Sequence, residues 1–136
     1  MLTDFFAYIS GDATLRSLIN GASSDLPRIY PEIAPEGTEG YYLIYGPLKE
    51  GSLDEVMDQM TIQVSVFVPE HGQLAADAII RRLKALLDLQ DQIQGRITSS
   101  IYNIYWSKHI GGLSNFDEKT REYHRAAMFA FKFKLK

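Results

Sequence analysis

The stretch MTIQVSVFVPEHGQLAADAIIRRLKALLDLQ, Met60 to Gln90, decides the fold. Met60, Ile62, Val64, Val66 and Val68 alternate with Thr61, Gln63, Ser65 and Phe67. A period of two marks a strand with one buried face and one mostly polar face. Pro69 ends it, because proline has no N–H to give to a sheet ladder. After "PEH" the period changes. Leu74, Ala75, Ala78, Ile79, Leu83, Leu86 and Leu87 fall on one side of a helix, and Asp77/Arg81 and Lys84/Asp88 form i,i+4 pairs on the other. Gln94-Gly95 is the expected stop. The helix should lie over the strand face that carries Ile62, Val64 and Val66.

The flanks fill in the rest. Leu2 to Asn20 reads as a helix in two pieces, with Leu2, Phe5, Phe6 and Ile9 on the first and Leu15, Leu18 and Ile19 on the second. Gly11 separates them and Asp12 can cap the second. "RIYP" (Arg28 to Pro31) is a short strand, "PEIAPEGTEG" a loop, and "YYLIYG" (Tyr41 to Gly46) an aromatic strand. Pro47 to Gln59 reads as a polar connection, Ile97 to Trp106 as a strand, and Ser107 to Glu122 as a long polar loop around Gly111-Gly112. In the closing strand Phe129, Phe131, Phe133 and Leu135 alternate with Ala130, Lys132, Lys134 and Lys136. The order α(α)–β–β–β–α–β–β predicts an α+β fold: a mostly antiparallel sheet of four to five strands, with the N-terminal helices and one long mid-chain helix on one face. The other sheet face, with Tyr42 and Ile44 opposite Leu43 and Tyr45, and Tyr102, Ile104 and Trp106 on one side of a strand, should be apolar enough to associate.

Composition narrows the function. With 136 residues, the chain fits a single domain, 1–136, that buries roughly two-thirds of its unfolded surface. It has no cysteine, which excludes disulfides, thiolate zinc sites and a cysteine nucleophile. The opening residues lack a basic region and a cleavage site, so no signal peptide is expected, and no apolar run approaches the ~20 residues of a membrane helix. A net charge of −3 gives no global attraction to nucleic acid.

Catalytic patterns are missing. His71, His109 and His124 have no metal-ligand spacing and read as solvated or capping side chains. "HIGGLSN" (His109 to Asn115) lacks both phosphate-loop signatures and reads as a flexible hairpin loop. No serine sits in a nucleophile elbow. Glu50, Asp54, Glu55 and Asp58 lack calcium-loop spacing and read as a solvated acidic loop. The terminal lysines between phenylalanines suit either a nucleic-acid strand or a protected sheet edge, and the second fits the alternation better. The expectation is a non-enzyme without cofactor or metal.

Several stretches together resemble a known family. These are "LRSLINGA" closing the helical pair, "RIYPEIAPEGTEGYYLIYG", the unit "QVSVFVPEHGQLAADAI", and "REYHRAAMFAFKFKL" with Arg121 and Arg125. The layout, from about Leu2 to Leu135, resembles the tail terminator (tail completion) proteins of long-tailed bacteriophages and prophages. Where that family often has a proline before the aromatic strand, this chain has "TEGYY". The resemblance implies a non-enzymatic α+β subunit of a ring, usually hexameric. Such a ring caps the head-proximal end of the tail tube, stops its polymerisation and meets the head–tail connector. DNA only passes through the channel, no membrane is involved, and the protein belongs to the virion tail, assembled in the bacterial cytoplasm. Candidate interface or channel residues are Glu50, Asp54, Glu55, Asp58, Tyr102, Trp106, Arg121 and Arg125. The alternative from the residues alone is a small monomeric or dimeric α+β module that binds a ligand or nucleic acid.

Overall fold

The computed structural model describes residues 2–20, 28–36, 38, 40–52, 57–90, 92–93 and 96–136. These form helices α1 (Leu2–Ser10), α2 (Ala13–Asn20) and α3 (Gln73–Leu87), and strands β1 (Ile29–Pro31), β2 (Tyr42–Ser52), β3 (Asp58–Pro69), β4 (Tyr102–Asp117) and β5 (Glu122–Leu135). The fold is α+β. One five-stranded sheet runs in the order β1-β2-β3-β5-β4, antiparallel except for the β1–β2 pair.

The period-two reading of β3 holds. Met60, Ile62, Val64, Val66 and Val68 are all buried in the core, paired on one side with β2 and on the other with β5. Opposite them α3 contributes Ala76, Ile79, Ile80, Leu83, Leu86 and Leu87. Leu74, expected on the same side, is instead 84% exposed, and the buried face of α3 begins at Ala76. The connection between β3 and α3 is too tight for a side chain at Gly72. A Cβ there would lie 2.8 Å from the Cβ of Val68.

Asp12 does two jobs. Its carboxylate accepts the Leu15 N–H at 2.8 Å, capping α2, and takes both arms of Arg82 from α3, at 2.8 and 2.6 Å. The Arg82 hydrogen bonds hold its carboxyl below the usual range, against the opposing effect of burial. The Tyr8 hydroxyl donates to the Leu86 carbonyl at 2.8 Å and ties α1 to the far end of α3.

Four expectations need correction. α3 stops at Leu87 rather than running on towards Gln94-Gly95, which lie outside the described residues; Gln90 then bridges to Ser107. The strand expected from Ile97 begins at Tyr102, while Ile97 still serves the core from the preceding turns. The polar connection Pro47–Gln59 is mostly strand: β2 continues to Ser52 and β3 begins at Asp58, with 53–56 outside the described residues. The supposed loop Ser107–Glu122 is strand as far as Asp117, closed by a short turn. There the Asp117 carboxylate accepts the Lys119 N–H at 2.9 Å, and its carbonyl accepts the N–H of Arg121, whose φ is 58°.

Gly111-Gly112 therefore sits inside a strand. The register of β4 against β5 slips between His109 and Gly111, a β-bulge. At Gly112 a Cβ would fall 2.6 Å from the Ala126 carbonyl oxygen of the neighbouring strand. Gly112→Val is expected to cost about 1–3 kcal/mol and to loosen the hairpin beyond it. Denaturant unfolding checks the stability, and hydrogen exchange at Leu113–Ala127 checks the location. Unchanged protection there would count against a constraint at this glycine.

Candidate interaction surfaces

With all three helices on one side, the second face of the sheet carries no covering layer among the described residues. Tyr42 and Ile44 of β2 point that way, as the alternation with Leu43 and Tyr45 predicts. Its floor is made of small side chains, Thr61, Ser65, Ala126 and Ala130, each buried by taller neighbours. Across it runs a row of rings: Tyr42 stacks on Phe67 at 4.9 Å and 11°, and Phe67 stacks on His124 at 4.5 Å and 3°. These three residues are register partners on β2, β3 and β5, so the row follows directly from the strand pairing. Sequence reading missed it. The available signal was Phe67, an aromatic among the polar positions of β3.

Burial, helped by the Glu122 carboxylate that accepts from the Tyr42 hydroxyl at 3.3 Å, pushes the Tyr42 phenol up to about 12. Burial also holds His124 below the ordinary histidine range, and its Nε2 has no hydrogen-bond partner. A histidine with a lowered folded pKa binds fewer protons than the unfolded chain. Its neutral form supports the fold above the unfolded value of about 6.5, and that support is lost as pH falls through this range. His124→Phe should keep the ring row, raise stability at pH 7 by about 1 kcal/mol and flatten the slope between pH 7 and 5. Thermal unfolding across that range is the measurement; an unchanged slope would remove His124 as its source.

The candidate residues read from the sequence do not converge on one site. Trp106 lies on the open face beneath the Lys132 ammonium, 4.5 Å from the ring centre. Tyr102 packs edge-on against Phe133 at 5.2 Å, on the core side. The expectation that Tyr102, Ile104 and Trp106 share a side fails because a register slip between Ile104 and Trp106 turns the strand over. Arg121 and Arg125 are engaged within the chain. Arg121 pairs with Glu70, just after β3, and lies over the Phe116 ring at 5.3 Å. Arg125 pairs with Asp77 of α3, in place of the Asp77/Arg81 pair read from the helix spacing. Both arginines clamp the β4–β5 hairpin to the β3–α3 unit. Of the acidic group, Asp54 and Glu55 lie outside the described residues, while Glu50 pairs with Met60 and Asp58 with Ser52 near the far end of the β2–β3 pair.

Lys132 sits on an interior strand, since β5 runs between β3 and β4, so edge protection does not explain its lysines. Their positions alternate with the buried Phe129, Phe131 and Phe133. His71 is exposed beside Glu70, at 3.4 Å. His109 borders a cleft of about 510 Å³ between α3 and the hairpin, where burial and then the nearby Lys84 lower its pKa. Among the described residues no group of three or more His, Asp or Glu side chains could hold a metal ion, and no helix is long and apolar enough to cross a membrane.

No protein-family model matches the chain, and no curated protein matches it. Solved structures do. The chain is similar to one in the virion of a native gene transfer agent particle, with a TM-score of 0.71 and 17% identity over 95% of this chain and 90% of that one. A second solved chain matches with a TM-score of 0.58 and 12% identity, covering 99% of this chain and 92% of the other. At these identities the shared property is the fold, and it extends over nearly the whole length of both partners.

Proposed function

We propose that this protein is a structural component of a phage-like virion and, more closely, a single-domain tail terminator. In this reading several copies, six by the resemblance, form a ring on the head-proximal end of the tail tube. The ring ends tube polymerisation and offers its other side to the head–tail connector, while DNA passes through its channel. Its place is the virion tail, assembled in the host cytoplasm, and it performs no chemistry and needs no cofactor.

The observation that carries this reading is the near full-length likeness to a chain of the gene transfer agent virion. The sequence stretches "RIYPEIAPEG" and "QVSVFVPEHGQLAADAI", read independently of any fold comparison, support the same assignment. The long hairpins and the uncovered sheet face supply surfaces for contacts between copies.

The test mixes purified protein with polymerising tail tube subunits and follows tube length by electron microscopy, with light scattering on the protein alone. Tubes of limited length carrying a ring at one end, and a discrete oligomer in solution, are the expected results. Tubes that grow equally long with and without the protein would remove the terminator role. A salt-sensitive complex with nucleic acid, without any effect on tubes, would favour the small binding module instead.

A further inference from the structure

We propose that the free outer edge of β4, from Ile110 to Phe116, pairs antiparallel with the same edge of a second copy, about a two-fold axis that passes beside Leu113.

The edge is free only in part. Gln90 and Ser107 exchange backbone hydrogen bonds at 2.6 and 3.3 Å, and the His109 N–H donates to the Asp88 carboxylate at 3.2 Å. The chain after α3 therefore occupies the margin of β4 at Ser107–His109. Beyond it no described residue pairs with the outer side of β4, although the strand continues to Asp117. Free backbone groups along a strand are completed by another strand. Ile110 to Phe116 holds no proline and no charge, the devices that usually guard such an edge. The opposite margin of the sheet is guarded. There β1 has three residues and ends in Pro31, and β2 carries Pro47, Lys49 and Glu50 beyond it.

The pattern of amides sets the pairing. The Ser107 and His109 N–H groups point outward, and the bulge at His109–Gly111 adds one residue before alternation resumes. The outward amides of the free stretch are then those of Gly112, Ser114 and Phe116. In keeping with this, the Phe116 N–H turns to the Asn115 side chain at 2.9 Å, the local substitute of an amide without a ladder partner. Leu113 is the midpoint of the free stretch. With Leu113 facing its twin, Ser114 of each copy exchanges hydrogen bonds with Gly112 of the other, and Phe116 comes opposite Ile110. The incoming strand ends there, just short of the margin that Asp88 and Gln90 occupy.

The side chains suit this register. Leu113 shares the open face with Ala126, its partner on β5, and is 49% exposed. Phe116 lies on the helix side with Tyr123 and is 37% exposed. Two-fold pairing sets the two leucines against each other and each phenylalanine against an exposed isoleucine. Beyond the ends, charges differ in sign. Asp117 and Glu118 of one copy approach the end of the other that holds Lys84 and Lys108, where Asp88 is already engaged by the His109 N–H. Lys119 follows Glu118 and offsets part of this attraction. Such a contact is isologous and closes at two copies. It stands apart from the ring reading, in which contacts run head to tail.

The chain has no cysteine, so one introduced thiol reports on the axis directly. In a non-hydrogen-bonded antiparallel pair the Cα atoms lie about 4.5 Å apart, within disulfide range. Leu113→Cys under mild oxidation is expected to give a linked dimer at least about tenfold faster than Leu74→Cys, whose site is the more exposed. Ser114→Pro removes an outward N–H at a place where proline is tolerated, and Leu113→Glu sets two carboxylates together at the axis. Each should raise the dimer dissociation constant by at least about tenfold in sedimentation equilibrium. Thermal unfolding of Leu113→Glu should stay close to that of the unmodified protein. Linking of Leu113→Cys no faster than of Leu74→Cys overturns the pairing, whether the protein is monomeric or assembles through other surfaces. A dimer of Leu113→Glu as tight as the unmodified one places the contact elsewhere and overturns it too. Tube length is read separately. Tubes still capped by a protein that fails to pair leave the ring reading intact, and tubes left uncapped by a protein that links through Leu113→Cys remove the ring reading alone.

Discussion

Val64→Asp leaves no folded protein. Val64 has no exposed surface, sits on the helix-facing side of β3, and is flanked by Tyr45 on β2 and Ala127 on β5. A carboxylate there has neither water nor a cation, and burying it unpaired or forcing its protonation costs more than about 4 kcal/mol. A domain of this size has about 5–15 kcal/mol in all, and the lost packing of the valine adds to the deficit. Far-UV circular dichroism and the soluble fraction after expression are the measurements. A soluble variant with a cooperative transition near that of the unmodified protein would mean the buried face of β3 is wrongly assigned.

Phe5→Ala comes next in size, with an expected loss of about 3–5 kcal/mol. Phe5 is fully buried, and its ring meets Tyr45 of β2 at 5.5 Å and Phe131 of β5 at 5.8 Å, the latter edge-on. It joins the first helix to two strands that lie on either side of β3. Truncation opens a cavity where three elements meet, and neither the Tyr8 hydrogen bond nor Ile9 can fill it. Leu74→Ala is the natural control, because an exposed leucine should change stability by less than about 0.5 kcal/mol. Denaturant midpoints compare the two. Equal effects would show that α1 is not anchored through Phe5.

These two residues also mark what the sequence makes legible. Alternation in Met60–Val68 and helical spacing around Phe5 and Ile9 are local patterns created by burial, and they survive reading without a fold. The helix break at Gly11 with Asp12 as cap was legible for the same reason. The partner of Asp12, Arg82, was not, since it arrives from another element. The hairpin beyond His109 misleads because water reaches both of its faces. With no buried side to enforce alternation, Ser114, Asn115 and Asp117 look like loop, and Gly111-Gly112 looks like a turn instead of a bulge. The side reached by Trp106 depends on a register slip that only the pairing of β4 with β5 creates. Arg121 and Arg125 stood out as basic positions, yet their partners Glu70 and Asp77 come from the segment around Gly72, distant in sequence.

The placement of β5 bears on how the chain comes to be folded as it is made. β3 is complete by Pro69, but one long side of it waits for residues that come much later. Pro69 pairs with Glu122 and Asp58 with Phe133. β4 cannot hold the place in the meantime, because β5 separates it from β3. Until synthesis has passed Leu135, β3 presents one flank of unpaired N–H and C=O groups to whatever else is in solution, although α3 can already cover the apolar row Met60–Val68. Sheet completion is therefore a late, long-range event with a large loop to close, a topology that folds slowly and exposes sticky intermediates. Nascent chains stalled just before Phe129 should bind chaperones and be cut by protease, and release of the full strand should bring protection in one step.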